Sequence, residues 1–205
     1  MCIALICQPW DSVTPRLQGS SVPIWTWQVA GRPAEQDAVF IYAKAKEGLA
    51  PVERHGDVTI RRIPVRTDRM LRPVLHRLSR ALHPRSPFCS RPMYYPLFYR
   101  RAILAARQDG CELLHIHNFS QYVPLARRLH PSATIILHMH CDWLGRLGGG
   151  AVDRSFAQAD AVIGCSEYIT DDTRRRFPAG TAKCHTVLNG VDIDAFAPAG
   201  DDRPA

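Results

Sequence analysis

Seven short, unbroken apolar runs punctuate the chain, at residues 2–7, 38–43, 58–64, 112–117, 134–138, 161–165 and 185–188. Each is about strand length, and several are rich in β-branched residues, as expected of strands covered on both faces. Between them lie longer stretches of mixed polarity, six of which carry helical spacing: 21–30, 69–82, 95–108, 123–129, 151–159 and 169–177. Strand, helix and strand in repetition require crossover connections, which predicts a mostly parallel sheet with helices on both faces. The expected fold class is doubly wound, Rossmann-like α/β. In such sheets ligands gather beyond the carboxyl ends of the strands, so the residues just after each run are the functional candidates. Four prolines between residues 80 and 96 predict a loop there. The tail after Phe196 reads as a linker or frayed end.

Composition narrows this reading. A chain of 205 residues suits one domain with its own core; the expected boundaries are 1–198, with 199–205 as linker or frayed tail. No apolar run reaches the roughly 18–20 residues of a membrane span. The first residues lack a basic leader and read as a buried first strand rather than a signal peptide. The seven cysteines are odd in number, scattered and never paired as C-x-x-C. They are expected to behave as small hydrophobes without a disulfide framework, which fits a reducing cytoplasm.

Charge is unevenly placed. Residues 61–107 hold twelve arginines against one acid, Asp68, so this stretch carries +11 and the remainder of the +7 chain sums to −4. Within it Met70, Leu71, Val74, Leu75, Leu78, Ala81 and Leu82 fall at helical spacing. Arg69, Arg72, Arg77 and Arg80 take the other face with His76 and His83, and Pro73 is expected in the first turn. Two readings stand: a solvated surface helix, or an element that docks on an anionic surface such as phospholipid or a lipid-linked phosphate. Nucleic acid is not expected, because no aromatic stacking pattern or known module accompanies the charge.

The strand ends supply the candidate chemistry. After the first run, Gly19-Ser20-Ser21 opens a helix whose N–H groups suit a phosphate, or else form a plain serine cap after a glycine turn. No G-x-G-x-x-G follows, which argues against a nicotinamide-binding domain. The fourth run ends in His115-Ile116-His117-Asn118 and the fifth in His138-Met139-His140-Cys141-Asp142-Trp143. Alternate residues of a strand share a face, so four imidazoles would converge on zinc if these strands were neighbours. The plainer expectation is that His115 and His138 are satisfied inner histidines while His117 and His140 reach the cleft. With no carboxylate or cysteine completing a spaced ligand set, no metal is expected. After the sixth run, Ser166 suits a helix N-cap, with Asp171 and Asp172 near the positive helix end. Asp192-Ile193-Asp194 mimics a metal-binding D-x-D, but it trails the last strand into the tail and is not expected to bind a metal.

The order of these pieces resembles glycosyltransferase family 4: His-x-His at the fourth strand, His-x-His-x-Asp after the fifth, Ala-Asp-Ala-Val-Ile-Gly-Cys-Ser-Glu at the sixth. Then comes Val-Leu-Asn-Gly-Val-Asp with Phe196 and Pro198, the most specific of them. The resemblance implies the N-terminal, acceptor-side domain of a two-domain GT-B enzyme. Such an enzyme moves a sugar from a nucleotide-sugar to an acceptor hydroxyl with retention and without a metal or other cofactor. Carried over by position, Gly19 and Ser20 would face the donor, and His140 would sit at the reacting sugar as the catalytic group. His117, Asn118, Asp142, Ser166 and Glu167 would line the floor, and Asn189-Gly190 would be the interdomain hinge. The family's donor domain carries E-x7-E, whereas glutamates stand here only at 35, 47, 53, 112 and 167, no two of them eight apart. The resemblance therefore implies a donor domain outside this sequence, in cis or in trans, and little or no transfer by residues 1–205 alone. The expected partners are a nucleotide-sugar, a glycan or lipid-linked acceptor, that donor domain and a peripheral contact with the inner face of a membrane. A non-catalytic binding module or relic of such an enzyme is the alternative, and a histidine-based, metal-dependent hydrolase a third.

Overall fold

The structure, a computed structural model, describes residues 1–15, 20–32, 34, 36–82, 84, 86–147 and 150–190. Eight strands form one sheet: β1 (Cys2–Ile6), β2 (Ala38–Lys44), β3 (Val52–His55), β4 (Val58–Ile63), β5 (Leu113–His117), β6 (Thr134–Met139), β7 (Ala161–Gly164) and β8 (Cys184–Thr186). Their order across the sheet is β3-β4-β2-β1-β5-β6-β7-β8, and every pairing is parallel except β3 with β4. The seven apolar runs each form a strand, and the doubly wound α/β expectation holds. Winding runs outward from β1 to β2 and β4, then returns to place β5 on the other flank of β1. The switch point therefore lies between β1 and β5, where open sheets of this kind place their ligands.

Seven α-helices accompany the strands among the described residues: α1 (Ser21–Ala30), α2 (Arg66–Leu82), α3 (Pro96–Gln108), α4 (Val123–Leu129), α5 (Trp143–Arg146), α6 (Gly150–Gln158) and α7 (Glu167–Arg176). One face of the sheet packs Ala4, Ile6, Leu114, Ile116, Ile135 and Leu137 against Phe98, Tyr99, Ala102, Ala126, Val152 and Phe156 of the helices. The other face packs Ile3, Leu5, Val39, Ile41 and Ile60 against Ala30, with half-buried Trp27 beside them. Strand residues alternate between these two layers, so both faces are apolar and the strands read as continuous hydrophobic runs.

Three local expectations need correction. Strand β3 was not visible as an apolar run, because Val52-Glu53-Arg54-His55 is a polar edge strand. It returns antiparallel on β4 through a turn whose Gly56 has φ +58. Its Glu53 pairs at 2.7 Å with Arg62, a side chain of β4 shut off from solvent, so the edge strand serves a buried charge. Second, α2 begins at Arg66, which puts Pro73 inside the helix rather than in its first turn. Third, the 80–96 segment is not all loop, because α2 runs to Leu82 and a 3₁₀ turn forms at Phe88–Ser90.

Helix α2 also packs in an unexpected way. Its buried residues are Asp68 and Ser79, while Met70, Leu71, Val74, Leu78 and Leu82 are exposed, Met70 at 71%. The lone acid of the arginine-rich stretch explains the docking: the Asp68 carboxylate accepts from the Leu97 N–H at 2.9 Å, filling an unsatisfied donor at the N-terminus of α3. Desolvation raises the pKa of that carboxyl, against the pull of backbone N–H groups of α3.

Candidate functional site

Parallel pairing sets His117 of β5 beside His138 of β6, so the two His-x-His segments do share one face. Four imidazoles converge there. His115 Nε2 lies 3.0 Å from His138 Nδ1, and His117 Nδ1 lies 3.0 Å from His140 Nε2, two diagonal hydrogen bonds across the strand pair. Trp25, reaching over from α1, stands edge-on to all four rings with centroids 4.9 to 5.9 Å away. This corrects the expectation for His117, which is fully buried under Trp25 rather than open to the cleft, as is His138. His115 and His140 are half-buried and form the edge of the cluster. Nε2 of His117 and Nε2 of His138 have no hydrogen-bond partner among the described residues.

Burial first, and crowding by the neighbouring rings second, keep these imidazoles neutral. His115 is pulled down to about 3 and His138 to about 2, both by desolvation and then by adjacent histidines, while His140 falls to about 4 through desolvation alone. His117 is pushed in the same direction by the same causes. No carboxylate contributes to any of these shifts.

Asn118 ties the ends of β5 and β6 together. It sits in the left-handed region at φ +59, a conformation asparagine tolerates better than other side chains. Its N–H donates to the His138 carbonyl at 2.8 Å, and its Oδ1 accepts from the His140 N–H at 2.7 Å. The catalytic candidate His140 is thus held at the carboxyl edge by its own backbone. Asp142 follows at the N-cap position of α5.

At the next strand end, Ser166 caps α7 by accepting from the Ile169 N–H at 3.4 Å. Glu167 is exposed and its carboxylate accepts from the Thr186 hydroxyl at 3.0 Å, which ties α7 to β8. Gly164 permits this close turn, since a Cβ there would stand 2.4 Å from Thr170 Oγ1. Ser20 occupies the N-cap position of α1 but makes no capping bond; its hydroxyl donates instead to Asp11 at 2.6 Å. Gly19 lies outside the described residues, as do Val191, Asp192, Phe196 and Pro198. Asn189 and Gly190 are exposed at the end of the described chain.

Two features escaped the sequence reading. The first is an aromatic group on the carboxyl edge, where Trp10 meets Phe119 at 5.3 Å, Trp143 at 6.4 Å and Tyr94 at 6.5 Å. Each partner follows a different strand or loop, so no local pattern announces it. The second is a cavity of about 790 Å³ in the helix layer, lined by Leu97, Tyr122, Leu125 and Val152 together with Arg91, Arg100, Arg127, Arg128 and Arg154, and by no acid among the described residues. Arg127 pairs with Asp160; the other four arginines form no ion pair among the described residues. Arg69, Arg72, Arg77 and Arg80 of α2 are all exposed. No helix among the described residues is long and apolar enough to cross a membrane.

Comparison with known proteins fits this geometry. The profile of Glycosyltransferase Family 4 matches residues 33–195. Spore coat protein SA of Bacillus subtilis (strain 168) is 30% identical over 106 residues, which covers 49% of this chain and 27% of that protein. Among solved structures, an α,α-trehalose-phosphate synthase (UDP-forming) from Burkholderia vietnamiensis superposes with a TM-score of 0.54 at 17% identity, over 96% of this chain and 49% of that one. An E. coli structure described as trehalose-6-phosphate bound with UDP-2-fluoro glucose superposes with a TM-score of 0.58 at 10% identity, over 96% and 50% respectively. These structural likenesses establish the fold. The chain spans about half the length of those solved structures and about a quarter of the Bacillus protein.

Proposed function

Since the chain belongs to glycosyltransferase family 4, we propose that it is the acceptor-side half of a glycosyltransferase that takes a sugar from a nucleotide-sugar donor. The observation that carries this reading is the row of polar groups along the carboxyl edge from β5 to β7: Asn118, His140, Asp142, Ser166 and Glu167, each following a strand end. In this role His140 orients a hydroxyl of the reacting sugar, and Asn118 positions His140. The N-terminus of α1 with Ser20 faces the donor diphosphate, whose leaving oxygen takes the acceptor proton in a retaining transfer written without a metal ion. The exposed ring of Trp10, backed by buried Phe119 and Tyr94, offers a flat apolar surface for a sugar ring. Donor recognition then falls to the part of the relatives' length that this chain does not span, across a hinge at Asn189-Gly190.

The acceptor class we propose is an anionic amphiphile at a membrane surface. Support comes from the exposed apolar stripe of α2 flanked by four exposed arginines, and from the nearby cavity that combines apolar walls with five arginines, four of them without an ion pair among the described residues. An anionic bilayer matches both.

Ligand-observed NMR on the purified chain tests the transferase reading. Lipid-phosphate acceptors are expected to give saturation transfer while UDP-, GDP- and ADP-sugars give little. Sugar transfer by the isolated chain at an ordinary enzymatic rate, or donor signals as strong as the acceptor's, would refute this division of labour. For the membrane, co-sedimentation with vesicles containing anionic lipid should exceed that with neutral vesicles. Arg69→Glu with Arg72→Glu, Arg77→Glu and Arg80→Glu should abolish the excess; equal binding to both vesicle types would sink the docking role.

A further inference from the structure

We propose that the histidine cluster beneath Trp25 is a binding site for a borderline divalent transition ion, zinc in the first instance, with His117, His138 and His115 as ligands and His140 as the orienting partner. Three ring nitrogens, one from each ligand, already lie within 4.8 Å of one another. Zinc holds imidazole nitrogens at about 2.0–2.1 Å, which sets them about 3.4 Å apart in a tetrahedron, so modest side-chain rotations close the set. The donor set is entirely imidazole, which suits zinc, copper or nickel and not magnesium or calcium.

The hydrogen bonds say which nitrogens are available. When His117 Nδ1–H donates to His140 Nε2, its Nε2 keeps a free lone pair. The same holds for His138 when its Nδ1–H donates to His115 Nε2. These two Nε2 atoms are the buried ring nitrogens left without partners, in side chains fully shut from solvent. A buried acceptor left unmade is costly, and a cation between the rings takes up both lone pairs at once. On loading, His115 exchanges its bond to His138 for the ion, and one coordination position stays open for water. The His117–His140 bond remains as the kind of outer contact that fixes a ligand's tautomer and orientation. Half-buried His115 and His140 provide the route inward.

The inference stands on the fold and the side-chain geometry, not on the sugar-transfer reading, and it assigns the ion no part in transfer. Protein stripped with a chelator and dialysed is titrated calorimetrically with zinc chloride, with magnesium chloride as control. One zinc per chain is expected, with affinity lost at least tenfold in His117→Gln and in His138→Gln, and reduced about tenfold in His140→Gln. Far-UV circular dichroism of each variant checks folding. Should a variant fail to fold, X-ray absorption of zinc-loaded wild type decides: an imidazole-nitrogen shell supports the site, and sulfur ligation overturns it. Heat no greater than magnesium's, or zinc binding unchanged in folded His117→Gln and His138→Gln, also overturns it.

Discussion

Acid should destabilise the metal-free protein well before its carboxylates titrate, and the histidine cluster sets the size of the effect. In the folded state His115, His138 and His140 sit at about 3, about 2 and about 4, with His117 depressed as well. In the unfolded chain each returns to about 6.5. A folded pKa below the unfolded one means the unfolded state binds the extra proton. The stability contribution is therefore complete above about pH 6.5 and lost as pH falls towards the folded values. Between pH 7 and pH 5.5 the loss is about 1.2 kcal/mol per imidazole, or about 5 kcal/mol for four. Solvent screening at half-buried His115 and His140 trims this to about 3–5 kcal/mol. Against a typical domain stability of about 5–15 kcal/mol that is a large share. Urea unfolding followed by circular dichroism, at several pH values in this window and with a chelator present, measures the slope directly. His140→Gln should flatten it by about one proton's worth. A stability that stays level from pH 7 to 5.5, or a slope identical in His140→Gln, would refute the reasoning.

Other substitutions probe the supports of the site. Asn118→Gly keeps the left-handed backbone but loses the bond to His140, and should cost about 1 kcal/mol; Asn118→Ala should cost about 1 kcal/mol more, because it also strains φ. If alanine proves as stable as glycine there, the backbone argument fails. Gly164→Ala forces a Cβ against Thr170 and should cost about 1–3 kcal/mol in urea unfolding. Asp68→Ala removes the cap on α3 and should cost about 1–2 kcal/mol, with α2 exchanging its amide hydrogens faster than α3. Trp25→Ala uncovers the histidines, costs about 3 kcal/mol, and should move the NMR titration midpoint of His140 up towards ordinary values. A midpoint that does not move would mean Trp25 is not what excludes water.

The sheet was legible along the chain because strands buried on both faces carry a local signature, an apolar run such as Cys2–Ile6 or Thr134–Met139. Ser166 as a helix cap was legible for the same reason: its partner, Ile169, is three residues away. The strand β3 was missed because its partner β4 supplies what its own residues lack. The apolar stripe on α2 was visible at helical spacing, but periodicity says nothing about which side meets the protein. The contact from Asp68 to α3 decided that, and it turned the apolar side outward.

The seven apolar strands, the helices alternating with them and each piece of the family motif were thus determined by the sequence alone, since each rests on residues within a few positions of one another. Tertiary structure alone decided the character of the site. The His115–His138 and His117–His140 pairs span twenty-three residues, and Trp25 comes from a helix ninety positions before His115. Whether those histidines point into a cleft or close on one another depends on strand register and on what covers them. Pairing His117 with His138 placed all four on one face, and α1 sealed that face, so the rings lost their water and became neutral.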